Sequence, residues 1–230
     1  MVEPLCVLVG YGPGVGHGVA TAFARRGSPL LLCCRRPERH QALIADLEQL
    51  GSDVAVAAVD ASDPEGLALA LLSAVSTCPS APLVLVYNAV ASTAALPSVL
   101  SPARLAADLQ VDTVAALAAA QAVLPLVRLR GGALLFTGGG MAHHPVAALA
   151  SIGIGKAALR ALMLCLGQEL SASASPQDQG PTVGVGMVTI MGQVAAGTPF
   201  DPGAIGEAFV ALQQRLALGE PGPLEVLFQG

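Results

Sequence analysis

The sequence predicts an α/β fold: a doubly wound parallel sheet in a three-layer α/β/α arrangement. Three observations carry that expectation. Short apolar runs alternate with stretches of helical length along the whole chain. The runs are continuously apolar, as strands buried on both faces must be. A length of 230 residues suffices for one large core, and no repeat is visible beyond the alternation itself.

The elements follow in order. Leu5 to Val9 reads as the first strand, followed by a glycine-rich turn and a helix over Val15 to Arg26. Leu30 to Cys34 is the second strand, and Glu38 to Leu50 an amphipathic helix. Val54 to Val59 is the third strand, with a helix over Pro64 to Ser76 behind it. Leu83 to Tyr87 is the fourth strand, and the Ala-rich stretch Ser101 to Leu129 a long helix. Ala133 to Thr137, a helix over Ala147 to Leu170, the strand Val183 to Thr189 and a helix over Pro202 to Leu216 complete the series. Strands separated by helices at this spacing form βαβ units, whose right-handed crossovers give the doubly wound sheet. Ser171 to Gly180 is the one low-complexity connection.

Composition narrows the function classes. Mean hydropathy is +0.66, yet the longest uncharged windows, Pro82 to Leu100 and Thr182 to Phe200, are broken by Pro, Gly and polar residues. The reading is a protein without a membrane span. Eleven basic against sixteen acidic residues, with no run of like charges, argue against a nucleic-acid partner. The five cysteines, Cys6, Cys33, Cys34, Cys78 and Cys165, are odd in number and lack paired metal spacing, so reduced thiols are expected. No basic segment precedes the first apolar run, and the expected location is cytoplasmic. Leu224 to Gly230 resembles a viral protease recognition sequence left by tag removal. The single domain is therefore placed at 1–217, with 218–230 a tail containing a tag remnant at 224–230.

Gly10, Gly12, Gly14, Val15 and Gly16 follow the first strand and open a helix. Glycines let the backbone turn tightly and approach a pyrophosphate, while the helix N-terminus offers free N–H groups. Arg35 and Arg36 end the second strand where an acid would hold the ribose hydroxyls of NAD. Two guanidiniums there favour a 2′-phosphate, and the expected cofactor is NADP(H). Asp60, ending the third strand, is a candidate for the adenine amino group or else a turn or cap residue.

With these features the chain resembles the short-chain dehydrogenase/reductase family, Rossmann-type proteins, up to about residue 217. The family's T-G-x-x-x-G-x-G is matched by Val9-Gly10-x-x-x-Gly14-x-Gly16, and its N-N-A-G by Tyr87-Asn88-Ala89-Val90. The resemblance implies cofactor contacts at Asn88, Ala89 and Gly192, the last in place of the family's Pro-Gly pair. It also implies a Tyr-x-x-x-Lys pair, a serine and an asparagine. Aligned on Lys156, the tyrosine position holds Ile152, the serine position Gly139 and the asparagine position Asp112. Lys156 is the only lysine among eleven basic residues, and it stands where the family places an ammonium on the nicotinamide ribose.

Isoleucine cannot donate a proton, so other groups are candidates for the chemistry. His143 and His144 lie in the loop that overhangs the nicotinamide pocket in this family, and histidine is a residue type that can act as acid or base. Asp112 sits in an apolar helix, where a carboxylate needs a partner, and Lys156 is the expected one. The expected activity is an atypical NADP(H)-dependent oxidoreductase acting on a hydrophobic small molecule, such as an iminium or a conjugated double bond. The alternatives are an isomerase or cyclase using His143, His144 or Asp112, and a nucleotide-binding pseudoenzyme. The apolar faces of the two long helices imply a homodimer or homotetramer, as in the family.

Overall fold

The computed structural model describes residues 2–76, 81–173, 181 and 183–230. Cys78 and most of the low-complexity connection, residues 174–180, lie outside the described residues. The strands are β1 (Leu5–Val9), β2 (Leu30–Cys34), β3 (Val54–Ala58), β4 (Leu83–Tyr87), β5 (Gly132–Gly139), β6 (Val183–Ile190) and β7 (Glu225–Phe228). The helices are α1 (Val15–Ala24), α2 (Gln41–Gln49), α3 (Pro64–Val75), α4 (Pro102–Leu109), α5 (Ala115–Arg130), α6 (Ala150–Ser173) and α7 (Pro202–Ala217). All seven strands pair in parallel, in the order β3-β2-β1-β4-β5-β6-β7. The doubly wound reading holds.

Each face of the sheet carries its own core. Val7, Leu85, Tyr87 and Phe136 point toward α3, α5 and α6. Leu8, Leu32, Val86 and Leu135 point toward α1, α2 and α7. Alternate residues of one strand thus serve opposite cores, which explains why β1, β2 and β4 are apolar at every position. Pro102–Arg130 and Ala150–Ala172 have the length and hydropathy of membrane spans. Both instead supply sheet-facing core residues, among them Ala116, Val123, Leu159 and Met163.

Two features of the elements go beyond what the sequence showed. The helix expected over Ser101 to Leu129 is present as a continuous helical run, Pro102–Arg130, within which α4 and α5 join through a π-helical turn, Gln110–Val114. The hydroxyl of Tyr87, fully buried, donates to the Val111 carbonyl in that turn, so this tyrosine is a packing and positioning residue. The second concerns the C-terminus. Residues 224–230, set aside as a tag remnant, contain β7, which pairs Met187 with Glu225 through Ile190 with Phe228. Leu224 packs into one core, and Val226 and Phe228 into the other. A boundary at residue 217 therefore leaves out a strand of the sheet.

Candidate active site

The strand order reverses between β1 and β4, and the loops leaving their C-terminal ends splay apart there. The resulting cleft has a volume of about 480 Å³. Gly10, Arg35, Asp60, Asn88 and Ala89 all line it, five of the residues the sequence nominated for cofactor binding. Gly10 has φ +88°, a conformation only glycine adopts without strain, and a Cβ there would collide with the Ala89 backbone. Asn88 Nδ2 donates to the Gly10 carbonyl at 2.8 Å and ties the two loops together. Positions 12 and 14 face open space, with no atom within 4 Å of where a Cβ would stand. Val15 and Gly16 begin α1 behind them, Gly16 packed against the Gly10 carbonyl and Tyr11.

Arg35 and Arg36 are both exposed, but only Arg35 lines the cleft. The Asp60 carboxylate accepts from the Ser62 amide at 2.9 Å, which holds its pKa low. Asp63, and not Asp60, caps α3. Gly192 lies outside this cleft, with the Phe200 ring closed against it.

Lys156 and Asp112 are buried polar residues that do not line this cleft. Lys156 is 6% exposed, and its Nζ donates to the Thr137 carbonyl at 2.8 Å. Asp112, in the π-helical turn, is 1% exposed, and its Oδ1 accepts from the Ala91 amide at 2.7 Å. Its Oδ2 has no hydrogen-bond partner among the described residues and points at Gly155, where a Cβ would collide with it. Of the pairing expected with Lys156, directly or through water, no direct contact is made: each group takes a backbone partner. They still influence one another electrostatically. Burial pushes Asp112 up to about 6, against the Ala91 hydrogen bond and the attraction of Lys156. Burial pulls Lys156 down to about 8, against the attraction of Asp112. Both groups therefore titrate close to neutrality.

The two histidines part company. His144 is exposed; its backbone amide donates to the Gly140 carbonyl, and its ring lies 6.4 Å from that of His143. His143 Nε2 donates to the Glu225 carboxylate at 2.8 Å. Ile152 is half-buried on α6, one residue after Ser151. Sequence reasoning missed the polar cluster beside it, where the fully buried Ser151 hydroxyl donates to Asp108 Oδ2. Burial works against the Asp108 carboxylate, but hydrogen bonds from Ser151 and Thr93 outweigh it and keep the pKa low. A signal existed in the chain: Asp108 and Asp112 stand four apart in an apolar helical stretch, on one face. Arg104 and Asp108 complete the far wall of the cleft.

A model of the short chain dehydrogenases matches residues 5–174, well over half of the chain. The chain belongs to the short chain dehydrogenase family. Solved structures agree on the fold. A short-chain dehydrogenase from Rhodopseudomonas palustris superposes with a TM-score of 0.83 over 100% of both chains, at 19% identity. A metagenomic short-chain oxidoreductase in complex with NADP gives 0.80 at 21% identity, covering 98% of this chain and 96% of that one. An alcohol dehydrogenase from Thermococcus sibiricus, complexed with 5-hydroxy-NADP, gives 0.79 at 21%, covering 97% and 95%. An uncharacterized oxidoreductase of Mycobacterium tuberculosis is 41% identical over 61 residues, a match spanning 26% of this chain and 24% of the relative.

A second cavity, of about 340 Å³, lies between the loop after β5 and α6. Met141, Pro145, Val146, Ile154 and Pro97 make it almost wholly apolar. Among the described residues no group of three or more His, Cys, Asp or Glu is placed to hold a metal.

Proposed function

We propose that this short chain dehydrogenase is an NADP(H)-dependent oxidoreductase for a hydrophobic small molecule, working without the family's tyrosine acid. The observation that carries the reading is the convergence of the glycine turn, Asn88 and Arg35 on one cleft. The residues present fit a dinucleotide. The backbone approach at Gly10 and the open ground at Gly12 and Gly14 suit a pyrophosphate on the α1 N-terminus. Arg35 suits a 2′-phosphate, and the NADP complex of the metagenomic relative is consistent with that choice. Asp60, Asn88 and Ala89 would hold the adenosine side, and Lys156 the nicotinamide ribose.

A bound nicotinamide supplies or accepts hydride. The chain's own part is to place a cation and a proton store beneath that reaction. Lys156 stays aimed at the site because the Thr137 carbonyl holds its Nζ. Asp112, with a pKa near 6 and an uncommitted Oδ2, can hold a proton at that oxygen near neutral pH. In this reading Ile152 and Gly139 replace the family's tyrosine and serine. The substrate is therefore one that needs little protonation by the protein, such as an iminium or an activated double bond, seated in the apolar cavity. His143, engaged by Glu225, supports that cavity's wall instead of donating the proton. The chain works in a reducing, cytoplasmic setting as a homodimer or homotetramer. Cys6, Cys33 and Cys34 as buried free thiols and the exposed Val114, Leu129 and Ile154 of the long-helix region support these two points.

The test is parallel titration with NADPH and NADH, followed by intrinsic nucleotide fluorescence, in wild type and Arg35→Ala. NADPH should bind about tenfold more tightly than NADH, and Arg35→Ala should abolish the difference. Equal affinities in the wild type would remove the NADP(H) assignment. Tight binding without hydride transfer to any imine, enone or ketone in a broad apolar panel would instead favour a nucleotide-binding pseudoenzyme.

A further inference from the structure

The Glu225 side chain is 10% exposed and accepts three hydrogen bonds from three different elements. His143 Nε2 donates from the loop after β5 at 2.8 Å, Arg160 Nε from α6 at 2.7 Å, and Thr189 Oγ1 from β6 at 2.7 Å. Burial disfavours the carboxylate, but these hydrogen bonds outweigh it and hold its pKa low, so Glu225 is ionised at neutral pH. Attaching β7 to the sheet does not need this arrangement. The backbone ladder and the packing of Val226 and Phe228 already do so. A buried carboxylate contributes little net stability compared with an apolar side chain of its size. Its distinctive contribution is direction, because it fixes one ring nitrogen of His143 and the adjoining loop.

That loop is the wall of the apolar cavity. Met141 and Pro145, on either side of His143, line it, and Ile154 and Ala157 of α6 face them. Arg160, which shares Glu225 with His143, lies one turn beyond Lys156 on the same helix. The carboxylate therefore couples the loop wall to the helix that carries the opposite wall and the buried lysine.

We infer that Glu225 is a specificity-determining positioning residue: through His143 and Arg160 it latches the 140–146 loop to α6 and so sets the shape of the apolar cavity. The inference rests on reading that cavity as the substrate site. Glu225 touches no reacting group and works through His143.

The experiment uses the full chain, with Glu225→Leu and His143→Ala as test variants and Val226→Ala as a control that loosens β7 while sparing the carboxylate. Amide hydrogen exchange across 140–146 reads the latch. The Met141 methyl resonance, titrated with cyclohexanone as a small apolar probe, reads the cavity. Both test variants should exchange about tenfold faster at 140–146, and their cyclohexanone affinity should fall by about the same factor. Val226→Ala should leave both readouts unchanged. His143→Ala leaves the sheet untouched, so the latch is tested even if Glu225→Leu does not fold. Wild-type exchange rates at 140–146 in the test variants would overturn the latch. A wild-type Met141 methyl indifferent to cyclohexanone would instead overturn the cavity's role and the specificity assignment, whatever the exchange shows. NADPH affinity, titrated separately, tests the cofactor reading independently of both.

Discussion

Replacing Asp112 with asparagine should stabilise this protein at pH 7.5 and leave its stability unchanged near pH 4. Burial raises the Asp112 pKa from 3.8 to about 6 even with Lys156 attracting the carboxylate. The site thus disfavours the charged form relative to water. At about 1.4 kcal/mol per pH unit, that rise amounts to roughly 3 kcal/mol as an upper bound. The sign follows from proton linkage. Between pH 3.8 and about 6 the native state binds more protons at this group than the unfolded chain does. The stability contributed by burying the neutral acid is complete below pH 3.8 and is lost as pH rises through about 6. Asparagine mimics the neutral acid: its Oδ1 can still accept from the Ala91 amide, and Lys156 keeps the Thr137 carbonyl. The gain at pH 7.5 should be about 1–3 kcal/mol, measured by urea unfolding at pH 7.5 and 4.0. An Asp112→Asn variant less stable than wild type at pH 7.5 would refute the argument. It would mean that the charge attraction to Lys156 exceeds the cost of burying the carboxylate.

Other expected outcomes follow from the same geometry. Gly155→Ala should destabilise by about 1–3 kcal/mol despite alanine's better helix propensity, because its methyl displaces Asp112; pairing it with Asp112→Ala should recover most of the loss in a double-mutant cycle. Gly139→Ser should change stability by less than about 1 kcal/mol, since position 139 is extended and a Cβ meets Lys156 Cγ at an ordinary 3.4 Å. Gly138→Ser, by contrast, collides with Thr189 and should cost about 1–3 kcal/mol, so the two melting curves should separate clearly. Deleting residues 225–230 should cost about 3 kcal/mol or more, roughly 10 °C in Tm, because Val226 and Phe228 lose their core contacts. Unchanged melting after that deletion would show that β7 is dispensable to the fold.

Much of this architecture was legible because its signals are local. A strand buried on both faces writes itself as Leu5-Cys-Val-Leu-Val9, and a glycine turn before a helix as Gly10 to Gly16. The lone lysine was conspicuous by composition, and the structure buries it, with its Nζ on the Thr137 carbonyl. Five cofactor candidates from four separate loops meet in one cleft because parallel strands must all deliver their C-terminal ends to the same edge. The helix read from Ser101 is continuous over Pro102–Arg130, but the π-helical turn within it left no signal in the sequence. The π-helical turn that aims Asp112 is held by Tyr87, 24 positions away from Val111 in the chain.

The sequence by itself determined the order of strands and helices, the glycine turn and the guanidinium beside it, since each depends on neighbours a few residues apart. The tertiary structure alone decided which polar groups meet. Asp108 finds Ser151 across 43 residues, and Glu225 gathers His143, Arg160 and Thr189 across separations of 82, 65 and 36. No periodicity encodes such meetings, because they depend on how sheet and helix layers stack, and a buried carboxylate is tolerated only where that stacking brings donors to it. For the same reason the pairing of Glu225–Phe228 with the sheet edge was not legible in the sequence.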